Sequence, residues 1–248
     1  MKLIINGDDF GHTRGINFGI IEAFRRGILR STTVMTNRPA FSNAMELARE
    51  NPGLGVGVHL VITSGKPLGE GYKTIIRPDG CFYRPGEFEK RVNGFDRREI
   101  EAEFILQIEA VKNQGTAPSH LDSHHHAHMN PAVLPAALKL AERYGLPVRI
   151  FNRNLIPKEY KHIKTTSAFV ASFYDNDATK ENLINILEQY RDAEVLEIMT
   201  HPGYADRELI EASAYNRPRE RELSILTHPD IIKYIVANGI ELINYNYL

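Results

Sequence analysis

The densest group of potential metal ligands lies near the middle of the chain, where five histidines stand within nine residues, His120 to His128. Neutral imidazole is among the commonest protein ligands for zinc and related divalent ions, so this density favours a metal site over the alternatives, a solvated polar loop or histidines satisfied within the core. In an extended segment, alternation would place His125 on one side and His124 and His126 on the other. The spacing therefore leaves open which of these histidines share an ion.

Two adjacent carboxylates, Asp8 and Asp9, stand in a segment flanked by Gly7 and Gly11. Glycine permits a tight turn there, and the side chains of consecutive residues diverge. This arrangement favours a division of labour, in which one carboxylate binds a metal while its neighbour accepts a proton from an attacking water. The alternative is a purely structural turn or helix cap before Thr13.

Two isolated histidines extend this chemistry. His59 stands in the apolar segment GVHL, where a lone imidazole is often simply part of the core, and His201 stands in MTHPG before a Pro-Gly turn. An imidazole with a pKa near 6.5 can donate a proton to a departing amine at neutral pH, which predicts an acid role for His201. A fourth metal ligand or a plain turn residue are the alternatives for His201.

The residues with chemical potential follow short apolar segments that alternate with helical patterns. We predict strands at 3–5, 32–35, 55–62, 120–123, 148–150, 195–199 and 240–245, and helices at 16–24, 40–50, 97–113, 131–144, 180–191 and 229–238. Such alternation predicts parallel pairing, and at 248 residues it favours a single α/β domain, residues 1–248, folded as a (β/α) barrel of seven or eight strands. Strand carboxyl ends share one mouth in that fold, so these distant residues would converge there.

The remainder of the sequence narrows the possible partners and location. Residues 63–93 are rich in Gly and Pro, which predicts a long loop over one end of the barrel, with Tyr72 and Tyr83 among its candidate sugar contacts. Thirty basic and 31 acidic residues leave a net charge of -1, which argues against a nucleic-acid or membrane surface. The single cysteine, Cys81, and the short apolar run at the amino terminus predict a cytoplasmic protein.

Four segments together, NGDDFG, GVHL, HLDSHHHAHMNP and MTHPGY, resemble the YdjC-like carbohydrate deacetylase family, which includes the chitooligosaccharide deacetylases. The resemblance runs over essentially the whole chain. It implies a variant of the polysaccharide deacetylase barrel and one divalent ion, Mg²⁺ or alternatively Zn²⁺. The metal ligands implied by this resemblance are Asp9, His59 and His125.

The same resemblance implies that Asp8 is the base and His201 the acid. Arg149 ends a predicted strand, from which it could reach an acyl oxygen or another substrate group, although an ion pair between Arg149 and a nearby carboxylate is equally compatible with its position. The implied reaction removes N-acetyl groups from acetylated carbohydrates such as chitooligosaccharides, in a homodimer. The rival hypotheses are a metal-dependent amidohydrolase or phosphoesterase acting on another substrate, and a sugar- or metal-binding module without turnover.

Overall fold

A sheet of parallel strands forms the centre of the fold in the computed structural model, which describes residues 1–248. Its strands are β1 (Lys2–Phe10), β2 (Ser31–Val34), β3 (Gly55–Leu60), β4 (Leu121–Ser123), β5 (Ala168–Val170), β6 (Val195–Thr200) and β7 (Glu241–Leu242). The spatial order is β4-β3-β2-β1-β6-β5, and β7 pairs with the start of β1. The predicted alternating α/β architecture is therefore confirmed.

Nine helices connect and flank these strands. They are α1 (Arg14–Arg26), α2 (Phe41–Glu50), α3 (Pro85–Arg91), α4 (Arg97–Lys112), α5 (Leu134–Tyr144), α6 (Lys180–Gln189), α7 (Arg207–Ala212), α8 (Pro218–Leu226) and α9 (Pro229–Ala237). None of them is both long and apolar enough to cross a membrane. The short elements β5, α7 and α8 were not predicted from the sequence. The α8 sequence PRERELSIL, for example, shows no clear apolar stripe.

The ladder of strands makes a half-barrel rather than the predicted closed barrel of seven or eight strands. β4 and β5 are its two edges. Of the predicted strand 148–150, only Val148 pairs with β4, through a single bridge to Leu121. Val148 also donates its backbone N–H to the carbonyl of Lys164. The segment cannot extend this pairing because Pro147 lacks an N–H and the chain turns away after Ile150.

The central strand β1 is longer than predicted, and its end carries the two aspartates. The register between β1 and β2 shifts between Gly7 and Phe10, and Asp9 adopts a φ of 71°. A bulge of this kind turns a side chain away from strict alternation. Asp8 and Asp9 consequently both face the same cavity, although consecutive strand residues normally point to opposite faces.

The segment predicted as a long loop, residues 63–93, is packed down and contains α3. Phe82 and Phe88 are buried within it. Two carboxylates of α4 hold its backbone: Glu103 accepts hydrogen bonds from the N–H groups of residues 68 and 69, and Glu99 from those of residues 73–75. The aromatic residues of this segment therefore serve its packing, since neither Tyr72 nor Tyr83 lines the cavity.

Candidate active site

The polar residues singled out by their types converge at the carboxyl ends of the strands, around a cavity of about 550 Å³. Asp8 and Asp9 lie at the end of β1, His59 near the end of β3, and His201 directly after β6. The turn that follows His201 packs closely against α1, since a Cβ on Gly19 of α1 would lie 2.5 Å from the Cα of Gly203. This packing fixes the position of His201. The predicted convergence at one end of the sheet is therefore present.

Asp9, His59 and His124 form a group whose ligand atoms all lie within 4.8 Å of one another. The Oδ1 oxygen of Asp9 is 3.4 Å from His59 Nε2 and 3.2 Å from His124 Nδ1. This oxygen is buried and has no hydrogen-bond partner. A buried carboxylate oxygen facing two imidazole nitrogens fits a divalent metal ion, which would satisfy it and leave further positions open to water or substrate.

The orientation of His59 is set from the adjacent strand. His59 and Asp122 are register partners in β3 and β4, and Asp122 Oδ1 lies 2.7 Å from His59 Nδ1. That hydrogen bond places a proton on Nδ1 and leaves Nε2 to face Asp9. Although burial acts to lower the pKa of His59, the carboxylate of Asp122 outweighs it and raises the pKa to about 10, so a metal ion would have to displace the proton of Nε2.

We expect the substitution Asp122→Asn to weaken metal binding by about 10–100-fold, because it removes the charge that orients His59 and strengthens its basicity. Titration of metal-stripped protein with Zn²⁺ in competition with a chromogenic chelator measures this change. The matched control is Asp79→Asn, since Asp79 pairs with Arg77 at an exposed site. Unchanged affinity in a folded Asp122→Asn protein would remove the orienting role.

The third member of this candidate metal-binding group is His124, whereas the resemblance implied His125. The strand ends at Ser123, and the chain then enters a 3-10 turn in which His125 and His126 have φ values of 54° and 52°. Positive φ at two consecutive residues breaks the alternation assumed for an extended segment. His125 instead places Nδ1 2.9 Å from the hydroxyl of Thr63.

The other histidines of the cluster have structural contacts. His128 is buried, with Nδ1 2.5 Å from Ser123 Oγ and Nε2 2.9 Å from the carbonyl oxygen of Arg149. His120 is also buried and stacks on Tyr245, with ring centroids 3.7 Å apart. Five imidazoles close together in sequence thus divide into cavity residues and core residues.

Arg149 lies beneath the cavity and is completely buried, so it binds carboxylates rather than facing a substrate. Its guanidinium holds Asp8 through two hydrogen bonds of 2.7 and 2.8 Å. It also contacts Asp122 at 2.8 Å and Glu197 at 2.9 Å. The ion-pair alternative from sequence analysis is the arrangement present.

Asp8 accepts two hydrogen bonds from Arg149 and also lines the cavity. Burial acts to raise the pKa of Asp8, but the charge of Arg149 outweighs it, so the net pKa is below its ordinary value. Asp8 is therefore an ionised carboxylate at neutral pH, next to the group formed by Asp9, His59 and His124. A carboxylate in that state can accept a proton from a water in the cavity.

His201 follows β6, the strand next to β1, and it lines the cavity close to Glu222 of α8. The backbone N–H of His201 donates to Glu222 Oε2 at 2.5 Å, and its Nδ1 lies 4.0 Å from Glu222 Oε1. Burial, followed by the charge of Arg219, lowers the pKa of His201 to about 4. The imidazole is thus neutral at neutral pH, and a proton-donating role would require it to acquire a proton during the reaction.

Arg219 is a site residue that sequence analysis missed. Its Nη2 lies 2.6 Å from Asp9 Oδ2, on the side of the carboxylate away from the imidazoles. This contact occupies one oxygen and leaves Oδ1 for an ion. The two residues are 210 positions apart in the chain, and an arginine in a charged helix has no distinguishing local pattern.

Comparison with known proteins identifies close relatives. The model of the YdjC-like protein family matches residues 2–237. The chain is 40% identical to a carbohydrate deacetylase of Clostridium beijerinckii over 99% of both chains, and 39% identical to a carbohydrate deacetylase of Geobacillus stearothermophilus over 98% of this chain and 96% of the relative.

Solved structures give the same picture at the level of the fold. An Enterococcus faecalis protein, provisionally described as a cellobiose-phosphate cleavage protein, matches with a TM-score of 0.92 and 36% identity, over 99% of this chain and 98% of that chain. The peptidoglycan deacetylase PdaC from Bacillus subtilis matches with a TM-score of 0.50 and 12% identity, over 98% of this chain and 87% of that chain. At such low identity the second match shows a shared fold.

Proposed function

The chain belongs to the YdjC-like protein family, and from that premise we propose that it is a carbohydrate deacetylase that uses a divalent metal ion to hydrolyse N-acetyl groups. One observation carries this proposal. The unpartnered Asp9 Oδ1 faces His59 and His124 in a cavity that also contains a proton acceptor, Asp8, and a proton donor, His201. Relatives named carbohydrate deacetylases, aligned over nearly the whole chain, support the substrate class.

The roles follow from positions around the cavity. An ion held by Asp9, His59 and His124 would polarise the acetyl carbonyl and acidify a water molecule. Asp8 then accepts the proton of the attacking water, while Arg149 keeps Asp8 oriented and ionised. His201, which is neutral in the free site, receives this proton through water in the cavity and delivers it to the departing nitrogen. The C–N bond breaks as the amine leaves, so the amide and water become acetic acid and a free amino sugar, and Asp8 and His201 regain their starting states.

The donor set bears on the identity of the ion. Sequence resemblance names Mg²⁺ first, but Mg²⁺ prefers oxygen ligands and retains several waters. One carboxylate with two imidazoles is instead a common ligand set for catalytic zinc. We therefore propose Zn²⁺ ahead of Mg²⁺ for this site.

Metal-stripped protein should release no acetate from N-acetylglucosamine oligomers, and restoring a divalent ion should restore release. Acetate is measured with a coupled enzymatic assay after addition of Zn²⁺, Mg²⁺ or buffer alone, and p-nitrophenyl phosphate is run in parallel. Cleavage of the phosphate ester without acetate release would favour the rival phosphoesterase. Preference for chitooligosaccharides, a homodimeric state and a cytoplasmic location stay predictions from the sequence.

A further inference from the structure

Two tyrosines from separate loops are stacked in the cavity wall beside His201. Tyr174 lies between β5 and α6, and Tyr215 lies between α7 and α8. Their ring centroids are 4.1 Å apart and their planes differ by 11°. Both line the cavity, where they are the only Phe, Tyr or Trp side chains.

The stack is held in place by the residues behind it. The hydroxyl oxygen of Tyr215 accepts a hydrogen bond from the backbone N–H of Asp175 at 3.0 Å, and the same hydroxyl donates to Glu222. Glu222 in turn accepts the backbone N–H of His201 at 2.5 Å. The two loops and the proposed proton donor are therefore joined by hydrogen bonds, and the rings are ordered before any ligand arrives.

Tyr174 nevertheless is 40% exposed, and it lines the cavity. An aromatic face kept in water loses the favourable free energy of burial unless a ligand covers it. An acetyl group is too small to cover such a face, whereas a pyranose ring presents a flat patch of C–H groups edged by hydroxyls. The geometry of an exposed, backed ring in a polar cavity therefore favours a sugar ring as its occupant.

The stack also has a defined position relative to the proposed chemistry. His201 meets both rings edge to face, with centroids 5.4 Å from Tyr174 and 5.6 Å from Tyr215. A ring placed on Tyr174 would therefore be next to the imidazole that protonates the leaving nitrogen. The other exposed aromatic stack, Phe151 on Phe169, lies outside the residues that line the cavity.

We propose that Tyr174, supported by Tyr215, is the platform for the pyranose ring whose N-acetyl group is removed. This inference rests on the proposed function for the identity of the reacting ring, but sugar binding by the platform does not require turnover. The platform would make the enzyme select acetylated sugars over small acetamides, because only a sugar gains the stacking contact.

The first test measures binding of the deacetylated product, glucosamine disaccharide, to the metal-loaded protein by calorimetry. Tyr174→Ala should raise the dissociation constant by about tenfold, the change expected for loss of an aromatic contact of about 1.4 kcal/mol. Tyr174→Phe keeps the ring and should bind as the parent protein does. Tyr174→Leu keeps apolar bulk without a flat face and should resemble Tyr174→Ala, while Tyr247→Ala, at an exposed site outside this cavity, is the matched control.

The second test separates the platform from the reaction. With N-acetylglucosamine oligomers, Tyr174→Ala should raise KM about tenfold with a smaller effect on kcat. Equal disaccharide affinity in the parent and folded Tyr174→Ala proteins would overturn the platform even if acetate release persists. Weakened disaccharide binding without acetate release from any acetylated sugar would retain the platform and overturn the proposed function.

Discussion

Replacing Asp8 with asparagine should lower kcat for acetate release by about 10²–10⁴-fold, because the amide cannot accept the proton of the attacking water. Asparagine has nearly the same shape, and Arg149 keeps its contacts to Asp122 and Glu197. Metal affinity should therefore change little, since Asp8 is outside the group formed by Asp9, His59 and His124. Steady-state kinetics of the metal-loaded variant measures the effect.

Two controls make this result interpretable. A thermal melt measures how much stability the protein loses when the buried ion pair between Asp8 and Arg149 is replaced by a neutral contact. Asp192→Asn makes the same chemical change at an exposed position. Wild-type kcat in a folded Asp8→Asn protein would exclude Asp8 as the base.

The pH dependence of the base has a defined sign. Because the pKa of Asp8 is below its ordinary value, its proton-accepting form is present at neutral pH and is lost as the pH falls through that lowered value. Loss of this carboxylate form should therefore limit turnover only in acid.

Replacing His124 with alanine should weaken metal binding by more than about 100-fold, because the substitution removes a proposed ligand. Loss of a residue that only orients a ligand typically weakens binding by at most about 100-fold. Replacing His125 should change the dissociation constant only a few-fold, since its Nδ1 is engaged with Thr63. Zinc titration against a competing chelator compares the two variants directly.

His162→Ala is the appropriate control, because His162 is an exposed histidine paired with Glu142. The opposite ranking, with the ion lost from the His125 variant and retained by the His124 variant, would restore the ligand set implied by sequence resemblance. Circular dichroism of each variant excludes unfolding as the cause, which matters because His124 and His125 contact each other.

Local patterns predicted the bounds of several elements to within one residue. The helix predicted at 97–113 is Arg97–Lys112, and the strand predicted at 195–199 is Val195–Thr200. Because the carboxyl ends of the strands share one mouth, the sequence also predicted that Asp9, His59 and His201 lie around one cavity, as they do. The strand predicted at 240–245 was less accurate, because only Glu241–Leu242 pairs with β1.

The sequence by itself determined the alternating α/β architecture, the family and the residue types of the site, because apolar periodicity and short motifs are local properties of a chain. The tertiary structure decided which histidine meets Asp9, because the turn after Ser123 places two residues at positive φ and aims neighbouring rings in different directions. It also decided that Arg149 is buried among carboxylates. Arg219 and Tyr215 reach the cavity because α8 and its preceding loop fold back over the strand ends, where Tyr215 stacks on Tyr174 from the segment between β5 and α6. These are contacts between distant segments that no local pattern records.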